Sequence, residues 1–206
     1  MLFGRKNREP EAAPAQPEGW DQVHIAGQEG NSLEIDPSAR LSHVEIAFQC
    51  RGGRVRIGPG CSLSGVCIFL LEDGSAVELG RNVTINASPR QVTVLNAVGG
   101  RAIRIGDGCL LSNSVEMHTS DYHGIYDARG DRVNPDRDIV LGERVWVGMR
   151  ALILKGSVLA EGCIVGAGAI VSGAFEEARC VLAGVPARVV RRDCRWDYPR
   201  RDHLEP

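Results

Sequence analysis

The chain has 206 residues, 26 acidic against 24 basic, for a formal net charge of −2. That length suits one elongated domain with a tail, and the near-neutral balance argues against the broad electropositive face on which non-specific nucleic-acid binding depends. Seven cysteines with no C-x-x-C pair indicate neither a disulfide framework nor a cysteine zinc site, and reduced thiols are expected.

Residues 1–19 carry Pro, Glu, Ala, Gln, Arg and Lys with few apolar side chains and are expected to form a disordered arm. The opening MLFGRKNREP has too short an apolar stretch for a secretory signal. No run approaches the ~18 apolar residues of a membrane span, so a cytoplasmic location is expected. Residues 20–56 follow as capping strands and a first coil, read from the alternation in SLEIDPSARLSHVEIAF.

From Ile57 a six-residue grammar begins in broken form, as IGPGCS-LSGVCI, LGRNVT-IN from Leu79 and IGDGCL-LSNSVE-MHTS from Ile105. The intervening LEDGSAVE and ASPRQVTVLNAVGGRA are longer than a corner needs, and they predict hairpin-like excursions or enlarged coils. From Leu141 the period holds without a gap: LGERVW, VGMRAL, ILKGSV, LAEGCI, VGAGAI, VSGA. Leu141, Val147, Ile153, Leu159, Val165 and Val171 lead the units, fifth positions are mostly small, and sixth positions are large and apolar (Trp146, Leu152, Val158, Ile164, Ile170).

Neither the helical period of about 3.6 nor simple strand alternation keeps such a register, whereas a hexapeptide β-helix does. Three units then make one triangular coil, and each layer satisfies its backbone groups by pairing with the layers above and below. The composition agrees: aromatic residues are only 5% and Gly numbers 25, as in a thin core lined by aliphatics. Cys61, Cys67, Cys109 and Cys163 fall at fifth positions, and Cys163 reads as a small corner filler. An all-β parallel β-helix is therefore expected over 57–185. The tail, 186–206, is expected to be basic and irregular or briefly helical.

The repeat lapses once near polar chemistry. Between Met117 and Ile139 stands HTSDYHGIYDARGDRVNPDRD, a long excursion within a disciplined repeat, and a functional loop over 118–138 is expected. His123 there suits general-base work, because an unperturbed imidazole, with a pKa of about 6.5, exchanges protons near neutral pH. Asp121 is close enough in sequence to orient it. His118 has two readings, an acceptor-binding residue on the coil wall or a polar residue where the coil opens. Tyr122, Tyr126, Asp127 and Arg129 are candidates for sugar hydroxyl contacts or plain solvated-loop residues.

The motifs SDYHGIYD, DIVLGERVWVGMRALILKG, IVGAGAIVS, AGVPARVVR and RWD, in that order, resemble those of the hexapeptide-repeat acyltransferases, in particular bacterial sugar and polysaccharide O-acetyltransferases. The resemblance covers about Ile105 to Asp197. It implies a left-handed β-helix and acetylation of a hydroxyl by direct attack on acetyl-CoA, with His123 as base. Gly124 stands where the family usually has Pro, and Met149 where some members carry Ser.

On the donor side the resemblance points to Gly148, Ala151, Gly166, Ala167 and Ser172, with Gly173 beyond, as small-residue turns against pantetheine. Trp146 would border the thioester, and Pro186, Arg188 and Arg191 would meet the adenine end and phosphates, for which arginine's planar fork is suited. Backbone N–H groups near Gly148 to Arg150 would support the oxyanion. A homotrimer with sites between subunits is implied.

Two other readings compete. Zinc-dependent carbonic anhydrases share such a coil and use two histidines five apart, as His118 and His123 are, but no histidine lies between His43 and His118 to supply a third ligand. No metal is therefore expected. A non-catalytic scaffold would keep the aliphatic register without reason to keep the histidine loop.

Overall fold

The computed structural model describes residues 17–198, so most of the expected N-terminal arm and the end of the tail lie outside the described residues. These residues form twenty strands and no helix. The strands stack in parallel as a three-faced left-handed β-helix, and each lead aliphatic sits directly over its counterpart one layer away.

The first face carries the ladder Ile35, Ile57, Leu79, Ile105, Leu141, Leu159, Phe175. The second carries Leu41, Leu63, Ile85, Leu111, Val147, Val165, Leu182. The third carries Ile25, Ile46, Ile68, Leu95, Met117, Ile153, Val171. From Ile57 to Leu159 on the first face and Ile46 to Val171 on the third, every rung is buried. Each such side chain removed from water stabilises the coil by roughly 1.5–3 kcal/mol.

Strand alternation then dictates the rest of each unit. Fifth-position Val145, Ala151, Ser157, Cys163 and Ala169 are buried at the corners. The one polar member is satisfied, since Ser157 Oγ donates to Leu154 O at 2.6 Å. Sixth-position Trp146, Leu152, Ile164 and Ile170 must point outward, and all are half-buried. Cys61, Cys109 and Cys163 fill corners as the repeat predicts, and burial pushes the Cys109 thiol up to about 12. Cys67 differs: it lies mid-strand within Ser62–Leu70, on the outer side beside Glu45. All seven cysteines are free.

Three sequence expectations are sharpened by the structure. Trp20–Ala26 and Ser32–Ile35 are strands at the start of the stack, paired in parallel with Arg40–Phe48 and Arg54–Ile57. Of the two forms expected for segments 71–78 and 87–102, the enlarged coil is the one found, because Ala76–Leu79 and Thr93–Ala97 keep the parallel stacking. The described tail is not helical. Val181–Gly184 and Ala187–Arg191 pair antiparallel, and this hairpin extends the second face.

Candidate active site

The coil leaves its path at the end of the third face, after strand Glu116–His118, and returns to the first face at Ile139. The exit is anchored by buried hydroxyls. Thr119 Oγ1 donates to Val98 O at 3.0 Å, and Ser120 Oγ donates to Asp136 Oδ1 at 2.6 Å. Beyond that point the loop folds on itself: Tyr126 bridges Arg132, and Asn134 is the hub. Asn134 Oδ1 accepts from Ile125 N–H at 2.7 Å, while its Nδ2 donates to Asp121 Oδ2 and to His123 O, both at 2.8 Å.

His123 is exposed, and among the described residues its imidazole has no hydrogen-bond partner in the chain; only its backbone is held. Asp121, expected to orient that ring, is engaged elsewhere. Lys155 Nζ lies 2.6 Å from Asp121 Oδ2 and also donates to Asn134 O at 2.8 Å. The Lys155 hydrogen bond, with that from Asn134, holds the Asp121 carboxyl below its ordinary range.

His118 is half-buried on the outer side of the third face, with both ring nitrogens in contact. Nε2 is 3.1 Å from Glu116 Oε2, and Nδ1 is 2.7 Å from the Tyr122 hydroxyl and 3.2 Å from Asn96 Nδ2. Tyr122 and Tyr126 are 47% and 63% exposed, so Tyr126 is the freer to meet an acceptor. Asp127 caps its own turn through Arg129 N–H and Asp131 N–H, and its carboxylate pairs with Arg129.

The donor-side candidates separate into four places. Gly148, Gly166 and Ala167 stack at the corner between the second and third faces, where a Cβ on Gly148 would lie 2.7 Å from Val165 O. Ala151 follows the same corner but is buried, so its side chain meets the core rather than a ligand. Ser172 and Gly173 lie at the corner from which the loop departs. Trp146 is on the second face, between Leu110 and Ile164, and Pro186, Arg188 and Arg191 belong to the terminal hairpin.

At the second corner the Gly148 and Arg150 N–H groups are already spent on Val165 O and Asn113 O. The Met149 N–H has no acceptor among the described residues, and neither has that of Ala167 one layer on. Sequence reading quoted Trp196 only within the RWD motif and gave it no role; its Nε1 donates to Arg144 O at 2.7 Å and its ring lies 6.1 Å from that of Trp146. Sequence reading also missed Asn134 within the loop, and Asn96 and Lys155, which register brings to it; Glu116, two residues before His118 on one strand face, was the partner that strand alternation offered. No group of three or more His, Cys, Asp or Glu placed to share a metal ion occurs among the described residues, and they include no helix long and apolar enough to cross a membrane.

Residues 138–173 match a family model described as bacterial transferase hexapeptide, six repeats. A polysialic acid O-acetyltransferase of Escherichia coli O1:K1 / APEC is 32% identical over 124 residues, covering 60% of this chain and 38% of that protein. The chain therefore spans well under half the length of that curated relative. The crystal structure of the polySia-specific acetyltransferase NeuO has a TM-score of 0.58 at 21% identity, over 86% of this chain and 88% of that one. A point mutant of AntD, an N-acyltransferase from Bacillus cereus in complex with dTDP-4-amino-4,6-dideoxyglucose and coenzyme A, has a TM-score of 0.51 at 14% identity, over 86% of each chain. At these identities the two structures establish a shared fold. The chain is a hexapeptide-repeat β-helix protein. Residues 138–173 match the repeat model described as bacterial transferase hexapeptide, and one sequence relative carries an O-acetyltransferase name.

Proposed function

We propose that the protein is a CoA-dependent acyltransferase that acetylates a hydroxyl of a sugar or surface polysaccharide, with His123 as general base. The observation that carries the reading is the single long break in the coil, where a braced loop presents an imidazole with no partner of its own among the described residues. The transferase repeat and the O-acetyltransferase relative support the reaction class. The coenzyme A complex of a protein with the same fold supports the donor.

In this reading the His123 ring takes the acceptor's hydroxyl proton as that oxygen attacks the thioester carbonyl. The free Met149 N–H, on a rigid corner, donates to the resulting oxyanion. As the carbon–sulfur bond breaks, His123 returns its proton to the departing thiolate. Gly148, Gly166 and Ala167 leave room for the pantetheine arm, and Arg188 and Arg191 offer charge to the phosphates.

The loop and the Met149 corner lie at different edges of the prism, so sites shared between chains, as in a homotrimer, fit this arrangement. The apolar exposure of Ile125, Tyr126 and Val133, at 56%, 63% and 56%, supports such cover. The test is thiol release from acetyl-CoA with a panel of sugar hydroxyl and amino acceptors. Hydroxyl-dependent release that falls at least ~100-fold in His123→Ala is expected. Unchanged release in that variant sinks the proposal, and selective use of amines moves it to N-acylation.

A further inference from the structure

We propose that His118 is a positioning residue, clasping the Tyr122 hydroxyl to the coil wall and so setting the backbone from which His123 projects. The inference rests on His123 as the base and assigns His118 neither to the acceptor nor to proton transfer.

The ring's own contacts carry the argument. Its side chain is only 18% exposed. Glu116 carboxylate oxygen accepts and does not donate, so the Nε2 facing it at 3.1 Å bears the hydrogen. In the neutral ring Nδ1 is then the acceptor, and the Tyr122 hydroxyl donates to it at 2.7 Å, with Asn96 Nδ2 a longer second donor at 3.2 Å. Both nitrogens are thus engaged inside the chain, and no ring nitrogen is left for a substrate. The two rings also meet edge-on, with centroids 5.8 Å apart and an interplanar angle of 71°.

Tyr122 needs such a hold. Its φ is +63°, in the left-handed region that a bulky side chain avoids unless its surroundings over-determine it. Its N–H donates to Ser120 Oγ at 2.9 Å, and its hydroxyl is pinned by His118. The next residue is His123, whose N–H donates to Asp121 O at 2.7 Å and whose carbonyl accepts from Asn134. The His123 peptide is therefore gripped from both sides while its ring remains available. Burial raises the Tyr122 hydroxyl pKa, which keeps it a donor across the working pH range.

The test compares His118→Asn, His118→Gln and Tyr122→Phe in the full chain, by amide hydrogen exchange over 119–127 and by steady-state transfer. Asparagine can place an oxygen where Nδ1 stands, so it should keep loop protection and turnover within about threefold, whereas glutamine and phenylalanine should speed exchange there by ~10-fold and lower kcat by a similar factor at unchanged acetyl-CoA KM. Exchange and kcat unchanged in His118→Gln and Tyr122→Phe, with or without a raised acceptor KM, overturn the clasp. The exchange arm does not depend on catalysis. If His123→Ala keeps full turnover, the base assignment falls while faster loop exchange in the clasp variants still upholds the clasp.

Discussion

The two halves of this coil share one interior and differ on their outsides. In the first half the outer side of the first face is a charge ladder across successive layers. Arg54 pairs with Glu78 at 2.7 Å, Glu78 with Arg104 at 3.5 Å and Arg104 with Asp138 at 2.7 Å. In the second half the outward positions are Trp146, Leu152, Val158, Ile164 and Ile170. A charge ladder is complete in water, whereas an apolar one gains by being covered. The difference teaches that the six-residue period builds the interior twice over, while the outside of the later coils is apolar where that of the earlier first face is charged.

The sharpest way to break the comparison is at the loop and the apolar outside. His123→Ala should leave the melting temperature unchanged and slow acetyl transfer at least ~100-fold, which thiol release and thermal melts together check. Leu152→Glu, on the outer side, should dissociate the proposed trimer in size-exclusion chromatography and reduce transfer by a similar factor, yet leave the β-sheet circular dichroism intact. Its neighbour Ile153 points inward and is fully buried, so Ile153→Ala should instead cost about 2–5 kcal/mol in denaturant unfolding.

A smaller effect is expected at Asp121. A carboxyl held below its ordinary value of 3.8 contributes stability that is fully present above that value and is lost as pH falls through the lowered one. The Lys155 contact should therefore persist at neutral pH and loosen only in acid, seen as a shift of the Asn134 side-chain amide signals in NMR. The smallest change belongs to the charged half. Glu78→Gln removes exposed pairs worth up to about 1 kcal/mol and should leave transfer unaltered.

Much of this was legible along the chain, for reasons particular residues make plain. Lead and fifth positions declared themselves because every coil from Leu141 onward repeats one packing problem. The loop was visible as the place where that repetition stops. The early strands were harder to count because their layers are longer: Leu41 stacks on Leu63 and Leu63 on Ile85, at 22 residues per layer. Long strands such as Arg40–Phe48 and Ser62–Leu70 bend across a corner at His43 and Gly65, both at positive φ, and that hides the hexapeptide count. At Gly65 an added Cβ would lie 2.8 Å from Ala87 O, so the close approach of the next layer demands glycine there.

What sequence by itself determined is the coil, its inward ladders and the position of the break, since all three follow from a local period imposed by strand alternation and corner size. Only the tertiary structure decided who meets whom at the break. Asp121 lies two residues from His123 yet pairs with Lys155, and His118 meets Asn96 from the layer before. Those pairings depend on how many residues each layer takes, 36 from Leu111 to Val147 against 18 from Val147 to Val165. A hydrogen bond is made across layers in space, and the length of each layer is settled only when its corners have folded.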